Sequence, residues 1–76
     1  MKDFLIYLIS QIIDQPDILK VEEIPLDENS YQYNISCSQE DMGKIIGKEG
    51  KIIQAVRSVA KILAVKKNLR VRIQLL

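Results

Sequence analysis

The sequence predicts an α+β fold: helix, strand, strand, helix, helix, strand, with a three-stranded mixed sheet covered on one face by the helices. Three observations predict it. Apolar spacing switches between a period near 3.6 and a period of 2 along the chain, in that order. Only four polar residues, Asp27 to Ser30, separate the first two alternating stretches, which makes them a hairpin. A Gly47-x-x-Gly50 turn then parts two helical stretches, and a last alternating stretch follows. A strand reached through helices runs parallel to its neighbour by a right-handed crossover.

The first helix is expected over Phe4–Ile13. Leu5, Leu8, Ile9 and Ile12 share one face, Phe4, Ile6, Tyr7 and Ile13 widen it, and Pro16 is the expected stop. The run is too short for a membrane span, which takes about 20 residues. It also lacks the basic flank and cleavage site of a signal peptide. No membrane insertion is expected, and the surplus apolar width suits a partner contact. Leu19 to Leu26 reads as a strand whose parity changes midway, so a bulge is expected at Glu22-Glu23. Pro25 gives up an amide donor and so marks an edge strand. Tyr31 to Cys37 alternates cleanly, with Tyr31, Tyr33 and Ile35 inward and Cys37 as a small buried residue.

Ser38 opens the second helix, where Ser38-Gln39-Glu40-Asp41 has the form of a capping box. Met42, Ile45 and Ile46 make its inward stripe, and it stops at Gly47. Lys51 to Lys66 is the longest helix, with a broad apolar arc opposite Lys51, Gln54, Arg57, Ser58 and Lys61. Leu69 to Leu75 alternates as a final strand, turning Arg70 and Arg72 outward.

Composition bounds what such a chain does. Its 76 residues are expected to form one domain, spanning 1–76, with a thin core. A lone Cys37 gives no disulfide and no sign of an oxidising compartment. There is no histidine, the commonest acid–base group and metal ligand. No Ser–His or Cys–His set exists, and the loop lacks the spacing of a phosphate-binding Gly-x-x-x-x-Gly-Lys-Ser/Thr motif. An enzyme, a cofactor, a metal and a small-molecule substrate are therefore not expected.

Net charge is only +1, but its distribution is uneven. Up to Gly43 two bases face nine acids, and from Lys44 onward nine bases face one acid, so the halves carry −7 and +8. Such a basic half is an electrostatic footprint for a polyanion. The alternative to that reading is two solvated surfaces of opposite sign that attract each other in a dimer. The Gly47–Gly50 turn lies in this half. Glycine permits positive φ and close approach of another backbone, and the helix beginning at Lys51 aims its positive dipole end at the turn.

The run Met42-Gly43-Lys44-Ile45-Ile46-Gly47-Lys48-Glu49-Gly50-Lys51-Ile52-Ile53 resembles the signature of KH domains. The element order resembles their type II arrangement over essentially the whole chain. Ser38 through Lys48 is similar to the KhpA family of small bacterial stand-alone KH proteins. The resemblance implies a cytoplasmic protein that binds single-stranded RNA, as an RNA chaperone or post-transcriptional regulator. It further implies links to cell-envelope homeostasis and cell shape. It also implies homodimers, and pairing with a larger multidomain KH protein of the KhpB (Jag/EloR) type.

On this reading Gly47, Lys48, Glu49 and Gly50 meet the backbone of about four nucleotides. Lys44 and Lys51 flank them. Ile45, Ile46 and Ile53 floor the groove, and Arg57 and Lys61 add phosphate contacts. Glu49 departs from the basic or neutral residue such loops often carry, and would either weaken phosphate affinity or touch a base edge. The alternative function is a protein–protein adaptor that acts through dimerisation.

Overall fold

A computed structural model describes residues 1–76. In chain order the elements are α1 (Lys2–Ser10), β1 (Lys20–Asp27), β2 (Ser30–Ser36), α2 (Gln39–Ile46), α3 (Lys51–Lys66) and β3 (Arg70–Leu75). A single 3-10 turn, Lys48–Gly50, joins α2 to α3. The sheet order is β1-β2-β3, with β1 antiparallel and β3 parallel to the central β2. This is the mixed α+β arrangement that the periodicities predict, with Pro25 on an edge strand.

The core lies between the helices and one face of the sheet. Leu5, Ile9 and Ile13 meet Val21, Tyr33, Ile35 and Ile73, and Ile45, Ile53, Val56 and Ala60 close the cluster. The small side chain of Ala60, fully buried, lets α3 approach the sheet closely. The opposite sheet face stays polar: Gln32 donates to Asn34 at 2.9 Å and to Gln74 at 3.3 Å. No helix is long and apolar enough to cross a membrane.

Three expectations need correction. First, α1 ends at Ser10, well short of Pro16. The amides of Asp14 and Gln15 donate to the carboxylate of Asp41, at 3.1 and 2.9 Å, so the backbone there leaves the helical path. Second, Glu22-Glu23 holds no bulge. Pairing runs unbroken from Lys20 to Pro25 and shifts only between Pro25 and Asp27. Glu23 therefore points to the same side as Val21, where its carboxylate accepts the Tyr33 hydroxyl at 2.8 Å. Burial, with this carboxylate beside it, pushes the Tyr33 phenol well above its ordinary pKa. Third, Cys37 lies just past β2 and is only half-buried. Burial still raises its thiol pKa, with Asp41 adding to the effect.

Candidate nucleic-acid interface

Ser38 starts α2 as expected: its hydroxyl accepts the Asp41 amide at 3.2 Å. The reciprocal half of a capping box is absent, because Asp41 instead turns inward to the α1–β1 loop. Its side chain is 2 % exposed. Burial opposes its ionisation, yet the Asp14 and Gln15 amides, the Ser38 hydroxyl and Lys44 outweigh that and hold its pKa below the ordinary carboxylate value. Nothing in the apolar periodicity of α2 marks Asp41 as a buried anchor. The one signal is its place three residues after a capping serine.

At the other end of α2, Gly47 takes φ 74° and ψ 178°, and Gly50 takes φ 74° and ψ 13°. Between them Glu49 also lies in the left-handed region, at φ 57°. A Cβ on Gly47 would come within 2.5 Å of Ile52 Cγ1, whereas one on Gly50 meets nothing within 4 Å. The first glycine is thus required by space and conformation together, the second by conformation alone.

The turn is open to solvent, with Lys48 and Glu49 exposed. Its amides are only partly free: Gly47 donates to Gly43 at 2.9 Å, Gly50 to Gly47 at 3.2 Å, and Lys51 to Lys48. No side chain caps α3 at Gly50 and no acid sits in its first turn, so its positive end is unopposed from within the helix. Lys51 lies 4.0 Å from Glu49.

The remaining expected residues divide. Ile45 is fully buried and Ile53 is 5 % exposed, so both belong to the core, and only Ile46, at 38 %, offers surface. Lys44 is an engaged cation: it pairs with Asp14 and lies 3.9 Å from Asp41. The Asp14 hydrogen bond raises its pKa against the opposing effect of burial. Arg57 donates to the Ile73 carbonyl at 3.3 Å. Arg57 and Lys61 line a cleft of about 590 Å³ between α3 and β3. Arg70 and Arg72, placed on the open sheet face by alternation, line the same cleft. Strand parity alone does not bring these two beside Arg57 and Lys61.

A Gly-x-x-Gly turn between two helices, backed by a three-stranded mixed sheet in the order α-β-β-α-α-β, defines the chain as a KH domain of the type II arrangement. Residues 2–75 match the family described as KhpA/KhpB, KH domain, and the chain belongs to that family. Among its relatives, the RNA-binding protein KhpA of Clostridium acetobutylicum is 40 % identical over 76 residues, covering all of both chains. KhpA of Clostridium perfringens is 37 % identical over the same full coverage. KhpA of Chlamydia pneumoniae is 36 % identical, over all of this chain and 96 % of the relative. No solved structure matches the chain.

Proposed function

We propose that this protein binds single-stranded RNA by laying the sugar–phosphate backbone across Gly47–Gly50. The observation that carries the reading is the exposed turn itself, with the free Lys48 ammonium at the uncapped start of α3. The cleft lined by Arg57, Lys61, Arg70 and Arg72 would take the bases and phosphates that follow. Relatives named RNA-binding protein KhpA support it. The test is anisotropy with a pool of short, labelled single-stranded RNAs at two salt concentrations. Lys48→Asp should lower affinity about tenfold with unchanged thermal unfolding, since it reverses a charge at the phosphate grip. Equal binding by the two proteins removes the mechanism.

In this reading the chain is one domain, works in the cytoplasm as an RNA chaperone or post-transcriptional regulator, and serves cell-envelope homeostasis and cell shape. These finer points rest on the family resemblance. A second reading, dimerisation with a second copy or a KhpB-type partner, is favoured by one observation. Ile52, Val59 and Ile62 on α3 are 37 %, 39 % and 60 % exposed and share a face with Ala55. The two roles combine, because pairing two weak RNA sites raises overall affinity.

A further inference from the structure

Beside the basic cleft at β3 lies a second cleft of about 570 Å³, which shares Val65, Leu69 and Arg70 with it. This second cleft lies at the pole of the fold where the β1–β2 turn meets the α3–β3 turn. Apart from the shared Arg70, its polar lining is neutral hydrogen-bonding groups and one carboxylate: Asn29, Ser30, Asn68 and Asp27. Cations grip phosphate, whereas amides and carboxylates read base edges.

The pole is held in shape. The Arg70 amide donates to the Asn29 carbonyl at 2.7 Å, Leu69 donates to Ala64 at 2.8 Å, and Asn68 completes its turn at φ 57°. Asp27 Oδ1 accepts the Asn29 amide at 2.9 Å, which orients the carboxylate. That amide, the Ser30 hydroxyl and the attraction of Arg70 lower its pKa, so it stays ionised and acts only as an acceptor. Lys66 lies about 22 Å along the axis from Lys51, at 1.5 Å per residue. A strand gripped at Gly47–Gly50 would therefore reach the pole only beyond the nucleotides that the clamp itself holds.

We propose that this polar second cleft is a nucleobase pocket that prefers guanine, one or two nucleotides beyond the clamped segment. Guanine alone presents two adjacent donors, N1–H and the N2 amino group, to which a fixed carboxylate is complementary. Cytosine and adenine offer one exocyclic amine each, and uracil a single N3–H. This inference rests on the RNA reading above and adds a base preference to it.

The test uses anisotropy with single-stranded uridine tetranucleotides, and with versions extended at either end by guanine, adenine, cytosine or uracil. One guanine-extended RNA should bind at least about fivefold tighter than its counterparts, the lower end of what a two-bond base contact gives. Asp27→Asn keeps an oxygen for the Asn29 amide but presents an NH₂ group. It should abolish the guanine preference without weakening tetranucleotide binding. Guanine-extended RNA should also shift the amide resonances of Asn29, Ser30 and Asn68, and the tetranucleotide should not. Equal binding of all extensions overturns the pocket, as does a guanine preference that survives in Asp27→Asn. If the tetranucleotide binds and depends on Lys48 while guanine adds nothing, the pocket alone is lost. If no RNA binds, the RNA reading fails and the pocket with it.

Discussion

Gly47 and Gly50 share φ 74° but not their surroundings. An alanine at Gly50 carries the left-handed penalty, about 1–2 kcal/mol, whereas the ψ of 178° at Gly47 belongs to a region that essentially only glycine adopts. At Gly47 the methyl group must also displace Ile52, whose Cγ1 would be 2.5 Å away. Chemical denaturation should therefore rank Gly47→Ala as clearly less stable than Gly50→Ala. Equal losses would show that the contact with Ile52 relaxes freely. Lys48 is the complementary case, an exposed side chain whose replacement should change RNA affinity and leave unfolding alone. The sequence displays both glycines and the lysine, but not the difference between the glycines, which arises from a neighbour five residues away on the next helix.

At the scale of elements, the start of α2 is joined to the α1–β1 loop by one buried carboxylate. Asp41 serves the Asp14 and Gln15 amides and lies near Lys44, and its pKa is lowered. A carboxyl group whose pKa falls on folding adds stability above its unfolded pKa, and that stability is lost as pH drops through the folded value. Stability should therefore decline below about pH 4, with Asp27 contributing in the same window. Lys44 has the opposite sign: its raised pKa adds stability that disappears only in strong alkali. Asp41→Asn should lower Tm more than Asp17→Asn, an exposed position, and should flatten the acid limb of a stability–pH profile. An unchanged acid limb would mean that other carboxylates carry it. The sequence reveals α2 and its Ser38 cap, but it cannot reveal that Asp41 shortens α1, because Asp14 and Asp41 meet only when the chain folds.

At the scale of the molecule, the charge division of the sequence becomes spatial in part. Lys48, Arg57, Lys61, Arg70 and Arg72 border the turn and the cleft, whereas Lys44 is drawn to the acidic α1–β1 loop. RNA affinity should fall with salt at a log–log slope of about −2 to −3, from three or four single-strand phosphate contacts at about −0.7 each. A slope near zero would argue against backbone grip. The exposed apolar face of α3 makes a separate prediction. Sedimentation should detect self-association in the native protein, and Val59→Glu should shift it toward monomer with little loss of stability, since Val59 is 39 % exposed. A native protein that stays monomeric at high concentration would leave that face without its second copy.

Local patterns were enough to give the element order, the α3 boundaries from Lys51 to Lys66, the Ser38 cap, the edge position of Pro25 and the Gly47–Gly50 turn. Each depends on residues within a few positions of one another, through periodicity, capping or permitted φ. The inward carboxylate of Asp41, the Glu23–Tyr33 bond, the engagement of Lys44 and the arrival of Arg70 and Arg72 in one cleft with Arg57 were decided by tertiary structure. Those contacts join residues 10 to 30 positions apart in the cases of Glu23, Asp41 and Lys44. The burial of the Asp41 carboxylate becomes favourable only once the distant amides of Asp14 and Gln15 are brought to meet it.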